Sequence, residues 1–234
     1  MSPFSDSLAL AASLMAHLDS KLVEIVLLSL RVSLTATVLA ACIGLPAGAA
    51  IAVGRFPGRQ TLTVLLNAMM GLPPVVVGLV VYLLLSRAGP FGTFGILFTP
   101  AAMVVAQTIL IAPIIAALSR QVVADAWGEY REQLTSLGAG TGSAALTLIW
   151  DTRFSLATVL LAGFGRAIAE VGAVMIVGGN IDGVTRVMTT TIALETSKGD
   201  LPLALALGIV LIAIVLVVNA ATQLVREWAR VRYG

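Results

Sequence analysis

The chain has 234 residues, 59% of them hydrophobic and only 11% charged, where an ordinary soluble domain carries about 25% charged residues. The net charge of +2 is spread along the chain, which excludes a basic nucleic-acid-binding face. A mean hydropathy of +1.02 sets the reading as an all-α integral membrane protein.

In chain order, residues 1–28 come first. No Lys or Arg precedes Lys21, and the apolar patch LALAASLMAHL is flanked by Asp6 and Asp19. This pattern reads as a retained, interface-lying segment rather than a cleaved signal, with His17 interfacial or solvated. A helix that crosses a bilayer needs about 20 mostly apolar residues. Five segments satisfy this: Ser29–Val53, Thr61–Leu85, Phe98–Leu118, Leu156–Gly178 and Leu203–Leu224. Together they make one membrane domain over 29–226, followed by a short tail, 227–234. The run Leu22–Leu30 is also apolar, but joined to the first span it would far exceed the membrane thickness. It is therefore expected to lie along the surface as an elbow.

Within the spans, Cys42 is read as a buried packing residue, since one cysteine has no partner for a disulfide or a zinc site within the chain. Gly44–Gly48 and Ala169–Ala173 have the small-residue spacing of close helix packing. Arg31 is expected to snorkel to the headgroups. Pro46 and Pro113 are read as plain kinks, whereas Pro73 and Pro74 break the second span and are read as a gate or pathway kink. Trp228 and Tyr233 suit an interfacial anchor.

Basic residues orient the spans. One side holds eight, Arg55, Arg59, Arg120, Arg131, Arg153, Arg226, Arg230 and Arg232; the other holds four, Lys21, Arg87, Arg186 and Lys198. The richer side is cytoplasmic by the positive-inside rule. The C-terminus is then cytoplasmic and, with five spans, the N-terminus periplasmic. The loop 119–155 between spans 3 and 4 is cytoplasmic, and far longer than the about two to eight residues that usually join packed helices.

In that loop Trp127, Tyr130, Leu134 and Leu137 recur with helical spacing, with Asp125 available to cap the start. Gly138 follows, where a glycine permits a left-handed turn, then AGTG and a second helical stretch, SAALTLIW. Helix, glycine bend, helix is the expected form. Such a segment either packs on its own chain or docks on another protein.

Glu132 with Gly138 six positions on, followed by Ala139 and Gly140, resembles the cytoplasmic coupling loop of binding-protein-dependent ABC importer permeases. That loop reads Glu-Ala-Ala-x-x-x-Gly and runs on to Leu-Pro; here the alanines are Gln133 and Leu134, and the Leu-Pro site is Trp150–Asp151. FGRAIAEVGAVMIVGGNI (Phe164–Ile181) resembles the molybdate, sulfate and tungstate branch. SLRVSLTATVLAACIGLPAG, GLPPVVVGLVVYLLLSRAGPFG and TTTIALETSKGDLPLALALGIVL resemble the tungstate permeases in particular. The resemblance implies a type I importer fold in the bacterial or archaeal cytoplasmic membrane. It also implies a homodimer, two cytoplasmic ATPase subunits and a periplasmic or lipid-anchored oxyanion-binding protein. ATPase closure would push the coupling loops together and reorient the spans. Trp127, Tyr130, Glu132, Leu134, Leu137, Gly138, Ala139 and Gly140 are the expected coupling residues. No GxxxxGK-S/T phosphate loop occurs in the sequence, so ATP and Mg are expected on the partner, and this chain is read as non-catalytic and metal-free.

Two ionisable residues fall mid-span, Arg166 and Glu170, four apart and able to pair. They serve either as a structural salt bridge or as a pathway lining in which Arg166 attracts a dianion. Asn180, Thr189, Thr190 and Thr191 add amide and hydroxyl groups in an outer segment, either a plain polar loop or the mouth of the path. A molybdate or sulfate permease is the near alternative. A secondary carrier or channel working without an ATPase is the alternative of another class, although no internal repeat favours it. A scaffold with no transport role is the third.

Overall fold

The computed structural model describes residues 3–17 and 19–233, and every regular element among them is helical. The helices are α1 (Pro3–Ala16), α2 (Ser20–Val53), α3 (Arg59–Met69), α4 (Pro74–Leu85), α5 (Pro100–Ser136), α6 (Thr141–Asp151), α7 (Arg153–Ile168), α8 (Gly172–Gly178), α9 (Met188–Lys198) and α10 (Leu201–Tyr233), with one 3-10 turn at Gly92–Phe94. The side chain of Tyr233 lies outside the described residues. Three helices, α2, α5 and α10, are long and apolar enough to cross a membrane; five spans result if the broken pairs α3/α4 and α6/α7 each count as one.

Several expected boundaries move. The surface elbow at Leu22–Leu30 does not form, because α2 runs unbroken from Ser20. Its start is capped by Asp19, whose Oδ1 accepts the N–H groups of Lys21 and Leu22 at 3.0 and 3.2 Å. No glycine or proline interrupts it before Gly44, and Leu22, Ile25, Ser29, Val32 and Ala36 continue one buried stripe across the supposed break. Asp125 caps nothing: it lies inside α5, which continues far past Leu118 to Ser136. The fourth span is not one helix, since α7 ends at Ile168 and α8 begins at Gly172. Ala169 and Ala173 therefore do not share a helix face, and only Ala173 is buried. The expected outer loop contains a further helix, α9. Cys42 is exposed on the chain rather than buried.

The chain divides into two compact units. The first comprises Met1–Thr35, Pro73–Gln107 and Arg166–Val217. Its core includes Met103, Val174, Val177, Met188, Thr190 and Leu207, all fully buried. Here α4 meets α8 at glycine contact: a Cβ on Gly78 would lie 2.7 Å from Ala173 Cα. Polar links fasten distant segments, as where the backbone N–H of Met188 donates to Ser29 Oγ at 2.8 Å.

The second unit comprises Ala36–Leu72, Thr108–Gly165 and Val218–Gly234. The Gly44–Gly48 spacing acts as expected. A Cβ on Gly44 would lie 3.0 Å from Ala112 O, and one on Gly48 would lie 2.2 Å from Ser119 Oγ and 2.5 Å from Ala116 O. Only glycine lets α2 approach α5 so closely. The end of α2 is sealed by Arg59, which donates to the carbonyls of Ile51 and Ala52 at 2.8 Å each.

Candidate functional site

Two places carry the expected functional residues, one in each unit. The first is the three-residue break Ala169–Val171 between α7 and α8. Glu170 sits in it, 5% exposed, and Arg166 lies in the last turn of α7, 44% exposed. Arg166 Nη1 donates to Glu170 Oε2 at 2.7 Å. Glu170 Oε1 accepts the N–H of Ala173 in the first turn of α8 at 3.3 Å, and the Glu170 carbonyl accepts from Thr189 Oγ1 at 2.7 Å. Gln107 Nε2 donates to the carbonyl of Ala167 at 3.1 Å.

The break thus has a physical cause. Side chains from α5 and α9 take backbone groups near it, and Glu170 caps the restarted helix. The arrangement is asymmetric. The carboxylate is buried and held by Arg166 and, at longer range, by the Ala173 N–H, while the guanidinium turns outward with donors beyond the one spent on Glu170.

Beside the break lies the start of α4. A Cβ on Gly172 would meet Val75 Cγ2 at 2.8 Å and Glu170 Oε1 at 3.7 Å. Pro74 opens α4 where its missing N–H costs no hydrogen bond, with Pro73 extended ahead of it (φ −66°, ψ 120°). The prolines therefore do break the second span, at Met70–Pro73, and place its second half next to Glu170.

Asn180, Thr190 and Thr191 spend their side chains on local hydrogen bonds. Asn180 adopts a left-handed conformation (φ 49°), and its Oδ1 accepts from Thr190 Oγ1 at 2.9 Å. Thr190 and Thr191 are fully buried; the one Thr190 hydroxyl proton is shared between Asn180 Oδ1 and the Val187 carbonyl at 3.1 Å, and Thr191 Oγ1 donates to the same carbonyl at 2.7 Å. These three build the turn into α9. Thr189 alone of the four reaches the Glu170 break. Gln107 was missed by sequence reading, and a glutamine inside an otherwise apolar span was the signal available.

The second place is the turn between α5 and α6. It has the expected form of helix, glycine bend, helix. Gly138 is left-handed (φ 74°), and the N–H groups of Leu137, Gly138 and Ala139 close back onto Gln133, Thr135 and Leu134 at 3.1, 3.0 and 2.9 Å. The face expected to dock, however, packs mostly on its own chain. Trp127, Tyr130, Leu134 and Ala139 lie partly buried against a core of Ala49, Ala52, Val53, Val123, Ala144 and Leu148. The apolar residues left outside are Leu137 at 82%, Leu146 at 70% and Trp150 at 71% exposure. Glu132, Gly138 and Gly140 are also exposed.

Leu146 and Trp150 were not among the expected coupling residues. Their i, i+4 spacing, interleaved with Ala144 and Leu148, already placed them on the opposite face of α6. Trp150 is held in place by Arg153, whose guanidinium lies 4.9 Å from its ring and donates to its carbonyl at 2.7 Å. A cavity of about 200 Å³ opens between the helices, lined by Tyr130, Gln133, Leu134, Leu137, Leu148 and Asp151. Its edge is acidic: the charge of Glu129, and then that of Asp151, holds the Tyr130 hydroxyl above its ordinary range.

No family model matches the chain. The chain is 43% identical over 218 residues to a probable anion ABC transporter permease of Haloferax volcanii, covering 91% of this chain and 94% of that one. It is 40% identical over 217 residues to a tungstate uptake permease of Peptoclostridium acidaminophilum, covering 93% and 95%. It is 38% identical over 168 residues to a tungstate uptake permease of Campylobacter jejuni, covering 72% and 70%.

Proposed function

We propose that this chain, which belongs to the permease subunits of ABC oxyanion importers, forms the membrane path for tungstate and takes its driving force from a separate ATPase. The observation that carries the reading is the trio Leu137, Leu146 and Trp150. They stand 70–82% exposed on a short helix–glycine–helix turn whose first arm carries Glu129, Arg131 and Glu132. Exposed apolar anchors beside such charged residues mark a protein contact. In this reading the turn lies on the cytoplasmic side, with the C-terminus, and meets one ATPase subunit. Two permease copies and two ATPases form the transporter in the cytoplasmic membrane, and ATP with Mg is held by the ATPases. A periplasmic or lipid-anchored binding protein delivers the anion.

Arg166 is the residue proposed to meet the cargo. Its fork of N–H donors matches two oxygens of a tetrahedral dianion, and Glu170 holds it in one orientation from the buried side. The Glu170 carboxylate is itself two oxygens carrying negative charge. The anion therefore competes with it for Arg166.

The test is reconstitution of the chain with its ATPase and binding protein in proteoliposomes. ATP-dependent uptake of tungstate is expected, and it should fall when Arg166→Ala is introduced while assembly and ATP hydrolysis persist. Uptake driven by an ion gradient without the ATPase would overturn the reading.

A further inference from the structure

Ser29, Ser33, Gln107, Glu170 and Thr189, with three aliphatic side chains, enclose a cavity of ≈ 10 Å³ beside the α7–α8 break. That is about the room needed for one water. Gln107 is 3% exposed. Its Nε2 donates to the Ala167 carbonyl, which fixes the orientation of the amide, because the opposite orientation would set oxygen against oxygen. Its Oε1 has no hydrogen-bond partner among the described residues.

Two of the wall hydroxyls have already given their protons away. Ser29 Oγ donates to the Ile25 carbonyl at 2.7 Å, and Thr189 Oγ1 donates to the Glu170 carbonyl. Their protons are spent and lone pairs remain. Glu170 Oε1 holds only the long 3.3 Å contact with Ala173. A wall rich in acceptors repels an anion and takes a donor. A metal cation fits poorly, since Arg166 already neutralises Glu170 and a further buried charge would stand uncompensated.

We infer that this cavity is a site for a single water that donates to Gln107 Oε1 and to the Glu170 carboxylate, making Gln107 a positioning residue for the Arg166–Glu170 pair. The water leaves no buried acceptor orphaned and ties α5 to the carboxylate that orients Arg166. The site itself is independent of the cargo; its effect on uptake rests on the pathway reading above.

Two measurements decide it. A structure of the assembled transporter, at a resolution that shows ordered water, is expected to hold one peak at about 2.7–3.0 Å from both Gln107 Oε1 and a Glu170 oxygen. A cavity without density, or an ion ringed by oxygens at about 2.3–2.6 Å, overturns the proposal. In proteoliposomes with matched amounts of assembled complex, Gln107→Met is expected to lower tungstate uptake on the order of tenfold. The double variant with Glu170→Gln should then be no worse than Glu170→Gln alone. Effects that multiply would overturn the link to the pair. A transporter that moves no tungstate even unaltered would refute the cargo, while the density still decides the water.

Discussion

Replacing Gly138 tests whether the turn between α5 and α6 works by its backbone. The residue sits at φ 74°, and a Cβ there would meet nothing within 4 Å. Crowding is therefore absent, and any cost is conformational. A left-handed residue other than glycine costs roughly 1–2 kcal/mol, less for asparagine and more for a β-branched side chain. That is small against the roughly 5–15 kcal/mol that holds a folded domain together, so the variants should still accumulate in the membrane.

The same strain matters more for docking. If the ATPase binds only the bent turn, a cost of about 1–2 kcal/mol that lets the free turn relax lowers affinity by roughly 5- to 30-fold. The assay titrates purified ATPase against the permease in nanodiscs and follows both binding and stimulated ATP hydrolysis. Gly138→Asn should bind nearly as the parent does, Gly138→Ala more weakly, and Gly138→Val most weakly. Equal binding by all three, or an asparagine variant as weak as the valine one, would refute the backbone argument.

Other substitutions separate contact from fold. Trp150→Ala and Leu137→Ala should each weaken ATPase binding by about 1–3 kcal/mol with an unchanged melting temperature, because both side chains stand outside the core. Leu148→Ala on the opposite face of α6, 1% exposed, should instead cost about 2–5 kcal/mol of stability in thermal unfolding. Gly48→Leu should prevent α2 and α5 from packing and abolish membrane yield, whereas Gly165→Ala, with nothing within 4 Å of the added carbon, should be neutral or slightly stabilising in the same expression test. Glu170→Gln removes the charge that holds Arg166. It should reduce uptake at least tenfold at unchanged ATPase assembly; unchanged uptake would show that the pair plays no part in the path.

Much of this protein could be read without coordinates. Composition alone makes it a helical membrane chain, because so few charged residues cannot cover a soluble surface. Local chemistry was equally legible: glycine at 138 bends left-handed, proline at 73 and 74 ends a helix, and Gly44 with Gly48 permits close approach, each set by backbone sterics within a few residues. The pairing of Arg166 with Glu170 followed from their spacing. Helix ends and the choice of buried face did not follow, because they depend on neighbours distant in sequence. Nothing in Leu22–Leu30 reveals that α2 continues one buried stripe. Nothing near Ala169 reveals that Gln107 and Thr189 arrive to take the backbone groups that a break exposes. Trp127 and Leu134 look as ready to dock as Leu137 and Trp150; only the packing of α2 and α6 beside them buries one set and leaves the other facing out.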